Sequence, residues 1–290
     1  MKYRDNSTCS AMKTWDNHRK STWQWACIAL MLCWSMGMVA QTDATPLDKI
    51  TTNAKMIGWG YVDMLDTYLS PERYKGWQVN YLSHTTHERE DRSISTLSVH
   101  QGSFAHADNR AGNANEMQAM YHFAYAWHYN WHFLNRCLNV KAGGMLNTHL
   151  GMLYNTRNSN NPMQAKVGLN VAPSVMASYR FSIKNKPLTV RYEADAPLLG
   201  MMFSPNYGQS YYEIFSEGNY DHNVVVTHPV NALSLRQMLT LDFSLCKTTF
   251  RIGYLGDYQQ AHVNHLRYHT YSHVLVLGIV KKFTLNHLRP

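Results

Sequence analysis

The sequence predicts an all-β chain: a closed antiparallel transmembrane β-barrel of about ten strands (eight to twelve), made after removal of a signal peptide. Three observations predict it. Apolar and polar residues alternate with period two over long segments. Tight turns take turns with longer polar connections. A short apolar run follows a basic N-terminal stretch.

The N-terminal stretch comes first. Residues 1–24 are polar and basic, and Trp25-Ala-Cys-Ile-Ala-Leu-Met-Leu-Cys-Trp-Ser-Met-Gly-Met-Val-Ala40 follows, then Gln41-Thr-Asp43. A basic segment, a short apolar segment and a small residue before polar chain form a signal peptide. The apolar run falls short of the ~20 residues that a spanning helix needs. Cleavage is expected after Ala40, with residues 1–40 as signal peptide and 41–290 as barrel. Met38 stands where a small residue is usual, and the basic segment is long enough for translation to start at Met12 instead of Met1. A lipoprotein cut at Cys33 would need small residues before it, and Met31-Leu32 precede it. An uncleaved anchor is the other alternative.

The strands follow. From Tyr121 to His132 the odd positions are Tyr121, Phe123, Tyr125, Trp127, Tyr129 and Trp131, while the even ones are small or polar. Side chains of a strand point to alternate faces, so one face is wholly aromatic. In water such a face is an aggregation hazard. In a bilayer it is a lipid-facing band, with Trp and Tyr suited to the interfaces. The pattern recurs over 167–183, 188–196, 234–245 and 250–255. Strands are expected at 54–64, 73–86, 93–107, 117–132, 137–155, 164–184, 187–203, 234–245, 248–262 and 269–283. Residues 93–107 alternate poorly, and 274–280 are apolar on both faces.

The connections follow the strands. Leu134-Asn-Arg136, Lys184-Asn-Lys-Pro187 and Cys246-Lys247 read as tight turns, whereas 108–116, 156–163, 205–233 and 264–268 read as longer loops. Short turns on the periplasmic side and long loops outside is the outer-membrane arrangement. An even strand count puts both termini in the periplasm. A secreted β-sandwich also alternates, but its strands are shorter and its outer face is polar.

Composition agrees. Charged residues are 16% of the chain, while Tyr (19) and Trp (8) are plentiful. The mean hydropathy is negative, which excludes a bundle of apolar membrane helices. The net charge is +8; five basic residues against two acidic ones leave +3 of it in the first forty positions and +5 in the remainder. That scattered excess has no Lys/Arg cluster to track a phosphate backbone, so no nucleic-acid partner is expected. Only Cys137 and Cys246 of the five cysteines survive processing, which makes neither a disulfide framework nor a zinc site.

Two stretches carry a resemblance. One is Leu65-Asp-Thr-Tyr-Leu-Ser-Pro71 with Tyr74-Lys-Gly76. The other runs from Tyr192 to Phe215 and contains Pro197-Leu-Leu-Gly200 and Phe203-Ser-Pro-Asn-Tyr-Gly-Gln-Ser-Tyr-Tyr-Glu-Ile-Phe215. The chain resembles an uncharacterised family of Gram-negative outer-membrane β-barrel proteins, a domain of unknown function. The resemblance implies an outer-membrane barrel over most of the mature chain and brings no catalytic or ligand residues. One departure is that the last aromatic, Phe283, lies seven residues from Pro290, where such barrels often end in an aromatic.

Inward-facing positions are the site candidates. Arg191, Glu193 and Asp195 sit two apart and share the inner face. Arg236, Asp242, Arg251 and Asp257 follow on the next two strands, so a ladder of opposite charges is expected inside. Its plainest role is to fill a narrow interior with paired charges; the functional alternative is a polar constriction. His122, His128, Asn130, His132, Lys141, Asn147, His149 and Arg180 are further polar lumen candidates. His128 and His132 lie roughly 13 Å apart along a strand, too far to share an ion. His262, His265, His269 and His273 surround a loop with only Asp257 nearby, so no metal and no cofactor is expected. The long segment with Tyr207, Tyr211, Tyr212, Glu213 and Phe215 is a plug candidate or a self-packed loop.

These readings predict a non-enzymatic barrel, a monomer in outer-membrane lipid. It serves envelope structure, binding or limited passage of small solutes through a largely occluded polar lumen. A hydrolase acting on lipid or peptide is one alternative, although no spacing singles out a nucleophile and its base. A secreted sandwich that binds glycans is the other.

Overall fold

The computed structural model describes residues 49–89, 93–184, 186–246 and 248–285. The signal-peptide expectation lies outside these residues. Twelve strand segments form one antiparallel sheet: β1 (Lys49–Asp66), β2 (Ser70–Glu88), β3 (Ile94–Asn109), β4 (Asn115–Phe133), β5 (Leu138–Asn155), β6 (Met163–Ile183), β7 (Lys186–Asp195), β8 (Leu199–Phe203), β9 (Val224–Thr227), β10 (Leu235–Leu245), β11 (Thr248–Val263) and β12 (Leu266–Leu285). β12 pairs with β1, β5 pairs with β6, and β7 pairs with β10, so a ring of ten strands closes. β8 continues the wall beyond β7, paired to β6, and β9 pairs with β8.

The ends of β1 and β12, and the connections after β2, β4, β6 and β10, share one end of the barrel, the turn end. The other connections form the loop end. The tight turns bend through the left-handed region: Leu134, Asn135 and Arg136 have φ of 52°, 52° and 66°, and Lys184 and Cys246 have 48° and 49°. Two loop-end connections are as tight. β1 and β2 are joined by Thr67-Tyr68-Leu69, and β11 and β12 by Asn264-His265 with φ of 50° and 60°. The expected contrast between short turns and long loops therefore holds for only three of the five loop-end connections.

Two expected boundaries change. The single strand expected over 187–203 is broken at Ala196-Pro197-Leu198, because proline has no N–H for the ladder. The loop expected over 205–233 contains β9 and a helical turn, α1 (Tyr211–Phe215). Ser210 caps α1: its Oγ accepts from Glu213 N at 3.2 Å, and Glu213 Oε2 accepts from Ser210 N at 3.2 Å.

Alternation sorts the faces. On β6, Gln164, Lys166, Asn170, Ala172, Ser174 and Met176 are buried inward while Val167, Leu169, Val171 and Val175 are exposed outward. β3 proves regular, with Leu97, Val99, Gln101, Ala105 and Ala107 buried inward. The doubly apolar stretch of β12 is also explained. Val274, Val276 and Val280 pack inside against Met56, Leu82, Met238 and Leu255, and Leu275 and Leu277 face out. The interior is therefore not uniformly polar, as expected from its ionisable side chains, but holds three apolar clusters between them.

Candidate functional site

Inside the ring, side chains reach across rather than around. β2 and β7, β3 and β10, and β1 and β6 are each five places apart in a ten-strand ring, so each pair stands on opposite walls. All three pairs are joined. His84 Nδ1 lies 3.4 Å from Glu193 Oε2, Arg236 Nη2 donates to Gln101 Oε1 at 2.7 Å, and Lys166 Nζ meets Asp66 Oδ2. Lys166 also lies 3.8 Å above the Tyr268 ring, a cation–π contact. Lys141 meets Glu88 towards the turn end.

The charged candidates fall into two groups. Arg251 donates from Nε and Nη2 to Asp242 at 2.6 and 2.8 Å, a bidentate pair with Arg251 1% exposed. Arg191 Nη1 is 3.8 Å from Glu193 Oε1, on the same strand. These fill the turn-end half together with two of the apolar clusters. Arg236 and Asp195 face each other at 4.0 Å higher up, and Asp257 accepts from Gln259 at 3.1 Å. Those three border a chamber.

The chamber is a cavity of about 90 Å³ in the loop-end half, joined by a smaller one of about 30 Å³. Room on that scale holds several waters. His122 and His149 stack at 5.8 Å on its wall. Asn147 Nδ2 donates to Asn170 Oδ1 at 3.1 Å, and Asn170 Nδ2 donates to His149 Nε2 at 3.1 Å. That direction puts the proton of a neutral His149 on Nδ1. His149 Nδ1, His122 Nδ1, Asn147 Oδ1 and Arg236 Nε are buried without a protein partner. Asn147 and His149 stand on this wall, on the inner face that their parity on β5 predicts.

The remaining candidates are placed as follows. His128 Nε2 and Ser174 Oγ meet at 3.0 Å, both buried, outside the chamber. They face each other over Gly143, where a Cβ would come within 1.8 Å of Trp127 O; only glycine lets the two side chains meet. His132 and Arg180 have inward parity but are exposed at the turn-end mouth, so they are not enclosed lumen groups. The strands that carry them continue only one and three residues further.

The long loop lies across the loop-end mouth. Tyr211 Oη donates to Gln164 Oε1 at 2.9 Å and accepts from Ala165 N at 2.6 Å on β6. Tyr68, beyond β1 on the opposite wall, donates to Gln209 O at 3.0 Å and meets the Tyr211 ring edge-on at 5.9 Å. Asn264 Nδ2 donates to Ser204 O at 3.0 Å and to His222 O at 2.9 Å. Ile214 is buried, while Tyr207, Tyr212 and Phe215 point away from the barrel. The segment is thus a cap anchored by Tyr211, and Tyr207, Tyr212 and Phe215 do not enter the lumen. Burial pushes the Tyr211 phenol up to about 12 and also raises that of Tyr68, where Tyr211 and Asp66 add to the effect.

No group of three or more metal-ligating side chains occurs among the described residues. Cys137 and Cys246 are free and exposed.

No curated protein matches this chain. Among solved structures it is similar to the transport unit of the autotransporter AIDA-I from Escherichia coli, at 5% identity, over 83% of this chain and 93% of that one, with a TM-score of 0.39. It is also similar to the translocator domain of the autotransporter NalP from Neisseria meningitidis, at 9% identity, over 90% and 97%, with a TM-score of 0.35. An outer membrane channel from Pseudomonas putida F1 matches at 10% identity over 84% and 100%, with a TM-score of 0.35. The barrel itself rests on the strand pairing of this chain, and a family model matches almost all of the sequence. The chain belongs to the family described as protein of unknown function DUF3316, matched over residues 26–290.

Proposed function

We propose that this protein is an outer-membrane barrel that holds a ligand in a closed chamber and does not conduct as an open pore. The supporting observation is the set of three joined opposite walls, Glu193 to His84, Arg236 to Gln101 and Lys166 to Asp66, with a cap above them. Limited passage of small solutes would need these links to part.

The membrane location is supported by the outer face. Ile57 and Trp59 (both 66% exposed), Leu275 (68%) and Val171 (54%) would be wet in any soluble setting. Strands of 16–21 residues exceed the ~9–11 that cross a bilayer, leaving ends to project into water. Charge returns on the outer surface near the loop end, where Arg73 pairs with Asp63 at 2.7 Å.

Fractionation with gel migration before and after heating tests the location; a soluble periplasmic protein overturns it. Planar-bilayer recording tests the closed lumen, with silence expected and a steady open conductance overturning it.

A further inference from the structure

The wall of the barrel is incomplete on one side. The ladder between β7 and β10 ends at Asp195 and Arg236, and pairing resumes only at Gly200 and Thr227 between β8 and β9. Residues 196–199 on one side and 228–235 on the other have no rung between them. β9 has no strand on its far side, and β11 from Gln259 to Val263 has β12 on one edge only. One backbone bond among the described residues, from His262 N to Asn231 O at 2.7 Å, crosses the gap there, and the Asn264 side chain bridges its upper edge to Ser204 O and His222 O. Backbone left unpaired next to hydrocarbon is costly, so a break of this size is a built feature rather than fraying.

The chamber reaches this break. Its lining runs from His122, His149 and Asn147 inside to Pro197, Ala232 and Leu235 at the gap. Above, the way is covered by the Lys166–Asp66 pair and the cap; below, by the filled turn-end half. The outer rim is apolar: Val230 is 92% exposed, Leu199 59% and Leu233 56%. Such side chains suit lipid.

We infer that the gap between β9 and β11 is a lateral portal through which an amphiphile from the bilayer places its head in the chamber. The inference rests on the membrane-embedded, closed-lumen reading above. The chemistry of the head follows from the wall. A carboxylate would face Asp195 and Asp257, and a cation would face Arg236 and Lys166. An uncharged head meets His149 Nδ1–H and Asn147 Oδ1, a donor and an acceptor with no other partner. The ligand class is therefore a single-chain lipid with a small hydroxyl- or amide-bearing head, its tail lying along Leu199, Val230 and Leu233.

The test uses the full barrel in phosphatidylcholine vesicles with Cys137→Ser and Cys246→Ser. Ala232→Cys and Ala261→Cys, both lining the chamber at the gap and each next to a partner of the Asn231–His262 bond, are then used to lock it on oxidation. The probe is a monoacylglycerol carrying a diazirine next to its head, photolysed and mapped by mass spectrometry. Reduced protein is expected to carry adducts on Met120, Met202 or His149, and oxidised protein at least tenfold fewer, with outward adducts on Leu169 and Val171 unchanged. Ala232→Trp fills the gap without a cross-link and is expected to give the same loss. Inner adducts that are absent, or that persist in both closed forms, overturn the portal. Equal inner labelling by a diazirine fatty acid or alkylammonium overturns the uncharged head. Absence of the outward adducts as well sinks the membrane reading itself.

Discussion

Arg236 on β10 donates from Nη2 to Gln101 Oε1 on β3 at 2.7 Å, although the two strands stand on opposite walls of the barrel. Strand number and stagger set the cross-section of a barrel, and a bond of this kind closes the space inside it. It spans the two walls; Lys166 with Asp66 repeats the arrangement above, and His84 Nδ1 approaches Glu193 Oε2 to 3.4 Å below. The loop-end half is thus closed by a few contacts, while the turn-end half is filled by packed side chains.

Conductance tests that division. Arg236→Ala combined with Lys166→Ala removes two of the three links and widens the loop-end half. Planar-bilayer recording is expected to stay silent even in this double variant, because the turn-end half remains filled, whereas a steady ion current would show that the loop-end links alone close the lumen.

The Arg251–Asp242 pair carries a different prediction. Removing one member of a buried pair leaves a charge without its partner, at a cost of about 3–5 kcal/mol. Arg251→Ala should lower the unfolding free energy of the vesicle-embedded barrel, read from urea titration, by that amount. The double variant Arg251→Met with Asp242→Leu should recover most of it, since a well-packed apolar pair replaces a buried ion pair at little loss.

The contact between His128 and Ser174 has the residue types of a nucleophile and its base. It lies among buried side chains outside the chamber, and its structural role is to bridge β4 and β6 over Gly143. Ser174→Ala should cost about 1 kcal/mol for the lost hydrogen bond and leave turnover of short and long nitrophenyl esters at the level of the unaltered protein. A hundredfold difference in turnover would restore the hydrolase reading.

The cap should loosen in alkali. Both anchoring phenols are held neutral, so their contribution is complete below the ordinary phenol range at about 10 and fades as pH rises towards about 12. This sign follows because a raised folded pKa favours the protonated form. Protease cleavage within residues 204–223 should therefore rise steeply above pH of about 10. In Tyr211→Phe the loop should be cut more readily at neutral pH, with a weaker alkaline increase.

The β11–β12 turn offers a stabilising change. Asn264 and His265 both have positive φ, a conformation that favours Asn and Gly. His265→Gly relieves a strain of about 1 kcal/mol and should raise the urea midpoint accordingly, with unchanged gel migration.

The sequence by itself determined the ten strands of the ring, which face each side chain takes, and the three tight turns after β4, β6 and β10. Those depend on period-two alternation and on local turn chemistry, both written along the chain. It placed Arg191, Glu193 and Asp195 on one inner face, and the ten-strand count rests on the same pattern. It did not show that Pro197 breaks its strand, since Leu198 and Leu199 keep the run apolar through the break. The tertiary structure alone decided which inner residues meet. Parity fixes a side chain's face but not its height, and only the closed ring with its tilt sets Gln101 opposite Arg236 and His84 opposite Glu193. The same closure leaves β9 without a strand on its far edge, which is how an all-antiparallel pattern comes to have an opening in its wall.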